Sequence, residues 1–181
     1  MSKIRVNRNI NDIDGLCVIE PTIFRDNRGY LMEAYNAAEF CSDGLTTCFI
    51  QENESFSVKG VLRGFHVNNN HPQAKLVRVV SGKILDVVID LRKHSKTYKK
   101  YFSIFLSGEN KKQLYIPEGF AHAFQAIEDS IISFKVSTNY IPGDEICFAW
   151  NSKDFHINWP VENPILNNLD SKSPDFSSIA Y

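Results

Sequence analysis

An all-β fold, an antiparallel sandwich or barrel, is what this sequence predicts, and two observations predict it. From Leu76 onward, β-branched and aromatic segments of about 5 to 9 residues are cut by turn signals. Helix-forming stretches are sparse, with candidates only near residues 36–40 and in the C-terminal tail. Strand-sized pieces recurring at short intervals, without the long helical segments of a βαβ chain, fold into antiparallel layers.

The segments run in order. KLVRVV (75–80) stops at Ser81-Gly82, a pair suited to a tight turn, and KILDVVIDL (83–91) follows it. YKKYFSIFL (98–106) ends before Ser107-Gly108, QLYI (113–116) before Pro117, and SIISFKVS (130–137) closes the series. Val, Ile, Phe and Tyr dominate all five, as residues that pack on a pleated surface should. Closed antiparallel layers form a rigid cup whose inward positions alternate along each strand, so side chains distant in sequence meet inside it.

At 181 residues the chain is long enough for a core that needs neither disulfides nor metal, and one domain spanning residues 1–181 is expected. With 20 basic against 21 acidic side chains, the net charge of −1 gives no general attraction to nucleic acid or to an anionic membrane. An anionic ligand must therefore be held by a local basic cluster. The four cysteines form no CxxC pair, and the N-terminus lacks a basic-then-apolar leader, so a cytoplasmic location is expected. No apolar run approaches the ~20 residues that span a bilayer.

The densest polar cluster is RGFHVNNNHPQAKLVR (63–78), with Arg63, His66, His71, Lys75 and Arg78 just before and within the first clear strand. It reads either as a solvated loop or as the rim and floor of an anion-binding site. The Arg63/His66 spacing, and Lys75 entering an apolar strand, favour the site. In IPEGFAHAF (116–124), His122 is expected to point inward, as a hydrogen-bonded core histidine or as a ligand or substrate contact. A barrel metal centre needs an HxH pair, a following Glu and a later His, but His66 is followed by Val67-Asn68-Asn69. Only Pro117, Gly119 and His122 match the second half, so no metal is expected. GxSxG, GxGxxG and Walker A patterns are absent as well, which leaves acid/base chemistry without a cofactor.

Six blocks in order, FRDNRGYLMEAY (24–35), FIQENESFS (49–57), GVLRGFH (60–66), QAKLVRVVSGKILDVVIDLR (73–92), LSGENKKQLYIPEGFAHAF (106–124) and PILNNLDSKSP (164–174), carry a resemblance. The chain resembles the dTDP-4-dehydrorhamnose 3,5-epimerase family over nearly its whole length. That implies a metal-free jelly-roll cupin barrel with short flanking helices, usually a homodimer. It also implies an isomerase that removes a proton beside the 4-keto group of a nucleotide-diphosphate sugar through an enolate. Such a step needs a base and an oxyanion partner, and no cofactor.

The resemblance makes His66 the base, Asp170 the carboxylate that orients it, and Lys75 the cation near the 4-keto oxygen. Arg63 matches a pyrophosphate contact and His122 a further lining residue. Arg28, Glu33, Gln51 and Asn53 match nucleotide contacts, some across the dimer interface. Phe134 stands where the family carries a tyrosine thought to return a proton to the opposite sugar face. A phenyl ring cannot do this, so inversion at C3 alone, or at C3 faster than at C5, is expected, with Tyr140 a substitute donor. The Asn-rich loop HVNNNHPQAK would suit a more hydroxylated substrate, so a GDP-linked 4-keto-heptose of capsular polysaccharide synthesis is the leading expectation. The ordinary dTDP-4-keto-6-deoxyglucose 3,5-epimerase of rhamnose synthesis is the alternative, and a catalytically inactive nucleotide-sugar-binding cupin is the second.

Overall fold

A computed structural model describes residues 3–45, 47–179 and 181. Two antiparallel sheets face each other as a jelly roll. The larger is built from β1 (Ile4–Arg8), β2 (Cys17–Pro21), β5 (Gln51–Ser57), β7 (Lys75–Ser81), β10 (Gln113–Ile116) and β12 (Ser130–Val136), in the order β1-β2-β10-β7-β12-β5. The smaller has the order β13-β6-β11-β8-β9, from β6 (Leu62–Asn68), β8 (Lys83–Asp90), β9 (Tyr101–Ser107), β11 (Phe120–Ala126) and β13 (Glu145–Cys147). A separate hairpin, β3 (Ile23–Asp26) with β4 (Gly29–Met32), stands apart from both.

All five strand segments read from Leu76 onward form as expected, as β7, β8, β9, β10 and β12. Gly82 has φ +80°, and a Cβ there would lie 2.2 Å from the Asp129 carbonyl oxygen, so the β7–β8 turn requires glycine. One core fills the space between the sheets, with Val77, Val79, Ile84, Val88, Leu106, Phe124 and Ile132. A second lies on the outer face of the smaller sheet, where Leu85, Val87 and Ile89 meet Phe65, Phe148, Phe155 and Phe176. Strand β8 is thus buried on both faces, which is why KILDVVID reads as a run rather than an alternation.

Two expectations change. The stretch ahead of Lys75 is a loop only over residues 69–74, because residues 62–68 form β6, an inner strand of the smaller sheet. The C-terminal tail makes only two 3-10 turns, Asp170–Lys172 and Phe176–Ser178, rather than an α-helix. Pro174 cannot donate a helical hydrogen bond, and the hydroxyls of Ser171 and Ser173 bond the carbonyls of Asn168 and Leu169 instead. The α-helix expected near residue 36 is present as α1 (Ala37–Ser42), capped by the Asn36 side chain, with Phe40 packed beneath the larger sheet. Among the described residues, no helix is long and apolar enough to cross a membrane.

Candidate active site

A cavity of about 510 Å³ opens between the two sheets. Alternation along the strands decides most of the side chains that enter it, and a shift of register between β6 and β11 brings in Arg63 as well as His66. Strand β6 sends in Arg63 and His66, β11 His122 and Phe124, and β13 Glu145. From the larger sheet come Gln51, Asn53 and Ser55 of β5, Lys75 and Val77 of β7, and Ile132, Phe134 and Val136 of β12.

Strands β6 and β11 approach closely enough to exclude a side chain at Gly64. Its φ is +110°, and a Cβ would sit 2.5 Å from the His122 carbonyl oxygen and 2.7 Å from the Ala123 Cβ. This contact lets His66 pair directly with His122 across the ladder, with Cys147 opposite His66 on the other side.

His66 Nε2 lies 2.7 Å from Asp170 Oδ1, and the Gly64 N–H donates to Asp170 Oδ2 at 3.4 Å. Asp170 is buried and is itself held by its N–H donating to Asn167 Oδ1 at 2.7 Å. The other imidazole nitrogen, Nδ1, faces Glu145 at 3.5 Å. Burial would lower the His66 pKa. Hydrogen bonding to Asp170 and Cys147 and the charge of Glu145 outweigh that and hold it at about 10, up from 6.5. That environment favours the protonated ring over the neutral one.

Lys75 is half-buried, and desolvation lowers its pKa, against the opposing charges of Glu145 and Asp86. His122 Nε2 lies 3.0 and 2.9 Å from the two carboxylate oxygens of Asp86. Arg63 donates from Nε to Ser57 Oγ at 3.1 Å and from Nη2 to the Phe56 carbonyl at 3.2 Å.

Of the residues singled out in the sequence, His66, Asp170, Lys75, Arg63, His122, Phe134, Gln51, Asn53 and Tyr140 come together in or against this cavity. Arg28 and Glu33 do not. Arg28 is paired with Asp26 at 2.6 Å on the β3–β4 hairpin, and Glu33 accepts from Lys3 at 2.9 Å. His71 sits outside as well, bound to Asp144, whose carboxylate also accepts from the N–H groups of Asn70 and His71.

Sequence reading missed several residues of the site, among them Asp86, Glu145, Cys147 and Ser55. A signal existed for Asp86, as a lone acid within the apolar run KILDVV that must find a partner indoors. Glu145 and Cys147 lie on a three-residue strand too short to show a period. Among the described residues, one set of side chains could hold a metal: His66, Glu145 and Cys147, whose donor atoms lie within 4.8 Å of one another. A cation there would compete with the proton for His66 Nδ1, so metal binding and proton transfer by His66 are alternatives.

Comparison with known proteins gives a consistent picture. A family model described as dTDP-4-dehydrorhamnose 3,5-epimerase matches residues 11–178. The enzyme of that description from Methanothermobacter thermautotrophicus is 47% identical over 151 residues, covering 83% of this chain and 82% of its own. The crystal structure of dTDP-6-deoxy-D-glucose-3,5-epimerase RmlC from Legionella pneumophila, in complex with dTDP-4-keto-L-rhamnose, superimposes with a TM-score of 0.92 at 35% identity, over 98% of this chain and 95% of the other. ChmJ, a 3'-monoepimerase from Streptomyces bikiniensis in complex with dTDP-quinovose, does so with a TM-score of 0.84 at 28% identity, over 91% and 85%.

Proposed function

The chain belongs to the dTDP-4-dehydrorhamnose 3,5-epimerase family of isomerases, and from that premise we propose that it inverts carbon beside the keto group of a dTDP-linked 4-keto-6-deoxyhexose. The observation that carries this is the buried Asp170 carboxylate 2.7 Å from His66 in a cavity that also holds Lys75. His66 removes the proton, Asp170 fixes its ring and steadies the imidazolium, and a positive charge or hydrogen-bond donor takes up the enolate oxygen. No cofactor enters the step.

A GDP-linked 4-keto-heptose, the leading expectation from the Asn-rich loop, finds no support among the relatives compared above, whose names specify dTDP sugars. The rhamnose-type substrate is preferred accordingly. Within it, faster inversion at C3 than at C5 is favoured by Phe134, which lines the cavity without a transferable proton. A one-carbon epimerase, ChmJ, has the same fold. A homodimer is the assembly this reading expects: the hairpin exposes Phe24 and Leu31, and Arg28 lies away from this chain's own cavity.

The test is incubation with dTDP-4-keto-6-deoxyglucose in D2O, followed by NMR. Deuterium should enter at C3, with inversion there ahead of C5, and His66→Asn should abolish both. Activity on a GDP-linked 4-keto-heptose alone would overturn the choice of substrate, and equal inversion at C3 and C5 would overturn the preference.

A further inference from the structure

The two walls of the cavity are chemically unequal. On the wall of the smaller sheet every polar side chain has a protein partner: His66 with Asp170, His122 with Asp86, Arg63 with Ser57, and Glu145 with His66. On the opposing wall Gln51 donates to Asn53, while the Ser55 hydroxyl is buried with no partner. Lys75 interacts there only at a distance with Glu145 and Asp86, without a hydrogen bond or ion pair. Among the described side chains that the strands of this wall send into the cavity, Lys75 is the one that changes between charged and neutral forms in water. Tyr140, from the loop before β13, is 66% exposed.

Register places Lys75 beside Phe134. Val136 of β12 is opposite Lys75 and Phe134 is opposite Val77, so the Lys75 and Phe134 side chains rise from the same face, one diagonal step apart. Inversion at carbon requires a proton to leave one face and another to arrive on the other. A sugar ring held between the sheets turns one face to His66 and the other to the wall of Lys75 and Phe134. The phenyl ring has no proton to give.

We propose that Lys75 is the acid–base group that serves the sugar face turned away from His66. This rests on the epimerase function proposed above. In one direction neutral His66 takes the proton from carbon, and the C–H electron pair moves into the enolate. The Lys75 ammonium then gives a proton to the opposite face as that pair returns to carbon. The enzyme is left with an imidazolium and a free amine, and one proton lost to water and one gained from it restore the start. In the reverse direction the two groups exchange roles. Desolvation makes Lys75 release its proton more readily than a lysine in water, which suits it to give that proton to carbon. A side chain of fixed reach serves one carbon better than two, in keeping with a C3 preference.

The experiment compares Lys75→Arg with the unaltered protein in D2O on dTDP-4-keto-6-deoxyglucose, measuring deuterium incorporation and inversion separately. Arginine keeps a cation in the pocket but does not give up its proton. Exchange with retained configuration, carried by His66 alone, should persist, while the ratio of inversion to exchange falls by about 10²-fold or more. Lys75→Met, a smaller and neutral replacement, should show the same fall in ratio whatever its absolute rate. Adding Phe134→Tyr to Lys75→Arg should restore inversion, because it puts a phenol on the same wall. A parallel loss of exchange and inversion in both variants would overturn the proposal and leave Lys75 as an enolate stabiliser, and so would an unchanged ratio. If the unaltered protein neither exchanges nor inverts any 4-keto nucleotide sugar, the function itself fails, and the proposal with it.

Discussion

Asp90 and Asp170 are both buried carboxylates beside a basic side chain, yet their surroundings differ. Asp90 accepts from Arg92 Nε and Nη2 at 2.9 and 2.8 Å, from Ser95 Oγ at 2.6 Å and from Thr97 Oγ1 at 2.7 Å, so the whole nest closes on itself. Asp170 accepts from one backbone N–H and pairs with His66, whose second nitrogen is turned to Glu145 at the cavity wall. A network with every bond inside the protein fixes chain geometry, here the loop between β8 and β9. One with a titrating nitrogen at a cavity can hand a proton to a guest.

The contrast can be broken in three ways. Asp170→Asn should show the largest effect, a fall in turnover of about 10²–10⁴-fold in the epimerisation assay, because the imidazole loses its orienting charge. Intact turnover per folded molecule with a collapsed melting temperature would make this nest structural like the other. Asp90→Asn should act the opposite way. It removes the carboxylate that pairs with Arg92 and should cost about 2–3 kcal/mol in urea unfolding, with turnover per folded molecule within about twofold of the original.

The smallest effect is the dependence of stability on pH, and the two nests give opposite signs. Burial would raise the Asp90 pKa, but hydrogen bonds from Arg92, Ser95 and Thr97 bring it to about 2, below the ordinary 3.8. Its contribution is present above the ordinary value and lost as pH falls toward about 2. His66 is raised from 6.5 to about 10, so its contribution is full below 6.5 and lost as pH rises toward about 10. Melting curves should flatten on the acid side in Asp90→Asn and on the alkaline side in Asp170→Asn. The same side changing in both would show that the nests are coupled.

The sequence made the second half of the barrel legible and hid most of the first. Strands β7 to β10 and β12 carry β-branched and aromatic runs, and β7, β9 and β10 end at Gly or Pro, but β5 reads QENESFS. Its inward residues Gln51, Asn53 and Ser55 face the cavity rather than a core, so the usual apolar alternation is absent where the site needs polar groups. Strand β6 is disguised similarly by Arg63, Gly64 and His66. The polar cluster at 63–78 already points to His66 and Lys75, while Asp170 and the roles of all three follow from the resemblance. Glu145 was not, because its contact with His66 depends on the pairing of β13 with β6, which local pattern does not encode.

The partner of His66 lies 104 residues further along the chain. At synthesis rates of about 5–20 residues per second, roughly 5–20 s separate the emergence of the histidine from that of its carboxylate. Any polypeptide that stops short of residue 170 lacks the carboxylate that pairs with His66, so under the proposed function turnover would also report that translation ran past that point.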